Sequence, residues 1–156
     1  MNEQEQLKRF VEVWAGKDEA GRAEILAHLA HYNDKRRDGV TPYIMHPKEV
    51  VSKVADRQKP IAWLHDVLED HGNEYSAEYL LYLGFSKYVV DAVVAMTKIP
   101  GELFYDYISR VLANPDAVIV KIADITHNMS CNPTAKARVR YVEALERLQA
   151  KLKEQV

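Results

Sequence analysis

Helix start and stop signals recur at short intervals along this chain, and they leave room for little besides a set of short helices. Asp18, Ser76, Ser86 and Asn114 stand where N-caps belong, and Pro47, Pro60 and Pro115 where first turns belong. Such residues accept the orphan N–H groups of a helix start, or lack an N–H that would be orphaned anyway. Gly16, Gly72 and Gly84 stand at matching ends. Between them apolar residues repeat at helical spacing: Ile61, Leu64 and Leu68; Val118, Ile122, Ile125 and Met129; Tyr141, Leu145, Leu148 and Leu152. The pattern predicts helices over 3–15, 19–32, 47–54, 60–71, 77–83, 87–97, 102–113 and 115–129, with a last one opened by Asn132–Pro133. Strand-like alternation is scarce, and no repeat or linker divides the chain. The expected fold is all-α, a compact single-domain helical bundle over residues 1–156.

A chain of 156 residues can bury a core without a disulfide or a metal to staple it. A net charge of -2 lacks the basic excess of a general nucleic-acid binder, yet leaves room for a small anion held by a few local cations. Cys131 is the single cysteine, so no internal disulfide forms, and a small, partly buried side chain is its simplest role. The polar start, "MNEQEQLKRF", lacks the apolar run of a signal peptide, and stretches such as "YVVDAVVAM" are too short to span a bilayer. A cytosolic chain with no membrane or nucleic-acid partner is expected, its oligomeric state left open.

The segment "IAWLHDVLED", 61–70, crowds charge into an apolar helix. On a helix Asp66 and Asp70 are i, i+4 neighbours and Asp66 and Glu69 are i, i+3, so their charges repel across one face. Basic side chains, raised carboxyl pKa values or a bound cation would each relieve this. His65 adds a nitrogen donor next to Asp66. "VIVKIADITHNM", 118–129, sets Asp124, His127 and Asn128 beside a strongly apolar stripe, where a buried aspartate needs a partner, either Lys121 or a metal. "PYIMHP", 42–47, holds His46 between two prolines at the mouth of a helix. Two histidines and two aspartates make a mixed nitrogen and oxygen site, suited to manganese, iron or another mid-row divalent ion more than to structural zinc.

The ordered segments "AHYNDKRRDG", "TPYIMHP", "AWLHDVLED", "VVDAVVAMTK" and "VKIADITHNM" closely resemble the HD-type hydrolase domain of the RelA/SpoT alarmone enzymes, and more closely still their stand-alone small alarmone hydrolases. The resemblance runs from about residue 27 to 131. It implies an HD-domain helical fold and one divalent ion, manganese by preference, held by His46, His65, Asp66 and Asp124. It implies that Glu69 and Asp70 position and activate water, that Arg36 stacks on a purine, and that Arg37 and Asn128 approach the substrate. The implied reaction removes pyrophosphate from the ribose 3′ position of guanosine tetra- or pentaphosphate (ppGpp or pppGpp), leaving GDP or GTP.

The chain departs from the family pattern at Val40–Thr41, which lengthens the loop after Gly39, and at Ser130–Cys131, where an arginine and a threonine are usual. Both changes bear on base and sugar recognition and leave the metal ligands untouched. An HD phosphohydrolase acting on another nucleotide, such as NADPH or a nucleoside monophosphate, is therefore the rival reading. A non-catalytic nucleotide-binding HD module ranks below it, because no ligand position is lost. His28, His31 and His127 are expected to pack or to back the ligands. Asp34, Lys35 and Asp38 read as a solvated loop, and Tyr43, Tyr79 and Tyr82 as core or rim.

Overall fold

Asn2 opens the first helix with a capping box: its side chain accepts from the Glu5 backbone N–H, and Glu5 accepts in return from the Asn2 N–H, both at 2.9 Å. Asp18 caps the second helix on Gly21 N at 2.8 Å, and Asn114 caps the ninth on Ala117 N at 3.0 Å with Pro115 just inside. The computed structural model describes residues 1–156 and contains no β-strand. In chain order the helices are α1 (Glu3–Ala15), α2 (Glu19–Ala30), α3 (Met45–Val51), α4 (Lys59–Leu64), α5 (Val67–Asp70), α6 (Ala77–Tyr82), α7 (Lys87–Ala95), α8 (Phe104–Leu112), α9 (Pro115–Ser130) and α10 (Ala135–Gln155). A 3₁₀ turn, Asp56–Gln58, leads into α4. The all-α expectation is met.

The core forms around α4, whose residues Pro60 to Leu64 are all buried. Helices α2, α3, α7 and α9 surround it, and α10 lies over α8 and α9. Together 27 buried apolar residues make a single contiguous cluster, which is why no second core is needed. The last helix sends Leu148 fully inside, while Tyr141, Leu145 and Leu152 flank it at the edge of the core. In contrast α1 buries none of its residues and meets the body through Trp14. That ring meets Phe85 edge-on at 6.1 Å, and Arg22 Nε donates to the Trp14 carbonyl at 3.0 Å.

Several boundaries differ from the sequence expectation. The 60–71 helix is broken: α4 stops at Leu64 and α5 resumes at Val67. Asp66, at φ −104° and ψ −3°, sits near the sparsely populated bridge region. Helix α3 stops at Val51 instead of 54, and α2 at Ala30 instead of 32. Ser86 stands at the N-cap position of α7, but its hydroxyl donates to Glu19 Oε2 at 2.8 Å rather than capping the helix. Thr134, not Asn132, caps α10, while Asn132 takes a left-handed φ of 52° in the turn before it. No helix is long and apolar enough to cross a membrane.

Truncating Leu148 to alanine removes a fully buried side chain that joins α10 to the core. The expected cost is about 2–5 kcal/mol in urea denaturation; a loss under about 1 kcal/mol would show that α10 is an accessory to the core.

Candidate metal centre and nucleotide cleft

The break between α4 and α5 turns the two side chains after Leu64 toward α3 and α9. His65 Nδ1 donates to the Ala62 carbonyl at 2.7 Å, which fixes the tautomer and leaves the Nε2 lone pair aimed at the site. Across from it, His46 in the first turn of α3 has Nδ1 2.7 Å from His127 Nδ1 and Nε2 2.8 Å from Asp124 Oδ1. The two Nε2 atoms lie 3.3 Å apart. Asp66 Oδ2 lies 3.0 Å from His65 Nε2 and 3.7 Å from His46 Nε2. One donor atom from each of His46, His65 and Asp66 falls within 4.8 Å of the others. Asp124 closes the set from α9, 3.5 Å from His65 Nε2.

All four side chains are drawn well out of solvent. Burial opposes the charge on Asp124, but Lys121, 2.8 Å away, and the two imidazoles outweigh it and hold the carboxyl well below the usual carboxylate range. Asp66 is pushed up by burial and pulled down more strongly by His65. Burial disfavours the proton on His65, yet Asp66 and Asp124 raise its pKa well above the ordinary value. A divalent ion would replace that proton among the same donors. The donor chemistry fits such an ion: two imidazole nitrogens, that of His65 with its tautomer set by the Ala62 carbonyl, and two ionised carboxylates. Of the two partners left open for Asp124, Lys121 is the one present: it binds Oδ2, while Oδ1 faces the imidazoles.

Next to this cluster lies an open cleft of about 700 Å³, ample for a nucleotide. Arg36, Arg37 and Asn128 all line it, together with Tyr43, His127 and Cys131. Asn128 bridges cleft and cluster: its Nδ2 donates to Asp124 Oδ1 at 3.2 Å, and its Oδ1 accepts from Arg36 at 3.3 Å. Arg37 donates to the Asn132 carbonyl at 3.0 Å. Asp38 is not simply solvated. Its carboxylate accepts from Val40 N, Thr41 N and the Thr41 hydroxyl, which holds its pKa at about 2. That turn, with Gly39 at φ +75°, accommodates the longer loop. Cys131, expected partly buried, is exposed at the cleft wall with Sγ 3.6 Å from His127 Nε2.

The two acids assigned to water part company. Asp70 keeps its backbone bond to the Asp66 carbonyl, at 2.9 Å, and remains one turn from Asp66. Partial burial, then the charges of Asp66, Glu69 and Asp34, raise its carboxyl from 3.8 to about 7. Glu69 accepts the Lys98 backbone N–H at 2.8 Å and borders a separate cleft near Thr97 and Gly101. Tyr43, read as core or rim, is half-buried at the cleft wall, and its hydroxyl also donates to Asp66 Oδ2 at 2.6 Å. Its place three residues before His46, in "PYIMHP", was the available signal. His127 backs His46, as expected of it. Asp34, also read as solvated, binds both His31 and His71. His71 carried no motif that could have marked it.

No family model matches the chain. The chain is 33% identical over 123 residues to a probable GTP pyrophosphokinase of Mycobacterium leprae, covering 69% of this chain and 15% of that protein. It is 28% identical over 158 residues to the bifunctional (p)ppGpp synthase/hydrolase SpoT of Escherichia coli, covering 86% of this chain and 22% of SpoT. The chain thus spans only 15% and 22% of the length of these curated relatives. A solved structure from a metazoan, described as a SpoT ortholog that hydrolyses ppGpp and acts in starvation responses, superposes with a TM-score of 0.65. It is 20% identical, and the match covers 88% of this chain and 93% of that one. The helical fold is of the HD-domain type. Within that class the chain is of the RelA/SpoT type.

The raised carboxyl of Asp70 gives a signed pH dependence. The folded protein keeps a proton that the unfolded chain releases between 3.8 and about 7. Stability from this group is complete below that window and is lost as pH rises through it. Metal-free Asp70→Asn is expected to lose less stability than wild type between pH 4 and 8, read from urea midpoints. An equal loss in both proteins would show that Asp70 titrates normally.

Proposed function

We propose that this chain is a metal-dependent pyrophosphohydrolase that converts guanosine tetra- or pentaphosphate to GDP or GTP plus pyrophosphate, in the cytoplasm. The observation that carries it is the contact between cluster and cleft: Asn128 links Asp124 to Arg36. The names of the relatives support the substrate. His46, His65, Asp66 and Asp124 would hold one divalent ion, and their mixed donor set suits manganese. Such an ion supplies a lowered water pKa and offsets charge on the phosphoryl oxygens.

The chain's own groups do the rest. Arg36 lies over the Tyr43 ring at 5.7 Å and presents a flat cation to the purine. Arg37, anchored on Asn132, offers its charge to phosphate oxygens. Tyr43 donates to Asp66 and fixes which oxygen faces the cluster. Asp70, one helical turn from Asp66, is placed to take a proton from water. Glu69 acts as a positioning residue, tying α5 to Lys98. Water adds to the proximal 3′ phosphorus, the bond to ribose O3′ breaks, and O3′ leaves with a proton. A second reading, another nucleotide in the same cleft, is favoured by one observation: Cys131 puts a thiol at the wall, a poorer hydrogen-bonding group than a hydroxyl.

Purified protein incubated with ppGpp and Mn²⁺ is expected to release GDP and pyrophosphate, resolved by ion exchange. Asp66→Asn should lower the rate by at least about 100-fold. Intact ppGpp, with folded and metal-loaded protein, would overturn the substrate and favour the other-nucleotide reading. Arg36→Ala is expected to raise KM by about 10-fold with a smaller change in kcat. An unchanged KM would remove Arg36 from substrate binding.

A further inference from the structure

Three more ligand-type side chains converge outside the cluster described above. His31 ends α2, Asp34 follows it in the loop, and His71 ends α5. His31 Nδ1 lies 2.9 Å and His71 Nε2 2.6 Å from one and the same oxygen, Asp34 Oδ2. The three donor atoms lie within 4.8 Å of one another, the same compactness that His46, His65 and Asp66 show. His31 is 2% exposed, and its Nε2 is buried without a hydrogen-bond partner, so Asp34 is the only polar group that engages this ring.

A structural role accounts poorly for this arrangement. The local turns close through the backbone alone: His31 N donates to the Ala27 carbonyl, and the His71 carbonyl accepts from Glu74 N and Tyr75 N. Neither imidazole is needed for that. The two imidazoles that hydrogen-bond one carboxylate oxygen here also converge as a cation's ligands would. Two imidazole nitrogens and one carboxylate oxygen form a three-ligand set for a divalent ion with the remaining positions open. Imidazole-rich donors select zinc, cobalt and their neighbours over magnesium or calcium. Asp34 and His71 keep 30% and 20% of their side-chain surface, so an ion can reach them from solvent.

We propose that His31, Asp34 and His71 form a second divalent-cation site, separate from the His46, His65, Asp66 and Asp124 cluster. It does not depend on the function proposed above. Its ligands come from α2, from the loop that carries Arg36, and from the end of the helix that carries Asp70. An ion there ties these three pieces together. Tyr43 lies between the two sites: its ring is 4.8 Å from that of His31, its backbone N–H donates to the Asp34 carbonyl, and its hydroxyl binds Asp66. Occupancy of the second site therefore positions Tyr43, and through it a ligand of the first.

Cobalt titration of the full chain tests this. Wild type, Asp34→Asn, His71→Gln and Asp66→Asn are stripped with chelator and checked for folding by far-UV circular dichroism. Bound Co²⁺ is then read from its visible absorption bands and from elemental analysis. His71 is partly exposed at a helix end, so His71→Gln keeps the fold even if Asp34→Asn does not. Two equivalents are expected in wild type, one lost in Asp34→Asn and in His71→Gln, and the other lost in Asp66→Asn. A single equivalent that disappears in Asp66→Asn and persists in His71→Gln overturns the second site and leaves the first. A single equivalent with the opposite pattern upholds the second site and overturns the first. No bound cobalt in folded wild type overturns both.

Discussion

The burial of Asp124 in α9 is the constraint around which the rest of this molecule is arranged. An unpaired carboxylate at that depth would ionise only at a cost of several kcal/mol. Cationic or hydrogen-bonding groups therefore have to reach it, and Asn128 is one of them. Lys121 does so from one helical turn back, and the buried imidazoles of His46 and His65 do so from α3 and α4. Holding those imidazoles in place fixes how α3, α4 and α9 pack. The packing of α4 against α2, α7 and the others then follows from its buried apolar run, Pro60 to Leu64. One buried charge and one buried apolar helix thus determine each other's surroundings.

The break between α4 and α5 belongs to the same constraint. A continuous helix would send His65 and Asp66 in directions about 100° apart around the axis. The local unwinding at Asp66 lets both face the same point while Asp70 stays one turn away. Tertiary demand overrides a helical pattern here.

Much of this was legible in the sequence because caps, prolines and apolar spacing are local. Asp18 and Asn114 cap as read, the all-α class follows, and Arg36, Arg37 and Asn128 meet at one cleft although 92 residues separate Arg36 from Asn128. What local pattern could not show was non-local. Ser86 looks like a cap until Glu19, 67 residues away, takes its hydroxyl. Asp34 looks solvated until His71, 37 residues away, arrives. Glu69 and Asp70 are adjacent in sequence, yet the fold sends one carboxylate to Lys98 and leaves the other near Asp66. Spacing along a helix cannot distinguish them once the helix is interrupted.

The ion pair between Lys121 and Asp124 has a further meaning for the metal-free chain. Because an ammonium group already shares the deepest carboxylate, Asp124 keeps an opposite charge whether or not an ion is bound. An ion would still stabilise the fold by mass action, but on top of an apolar core of 27 residues, which small domains that collapse when stripped do not have.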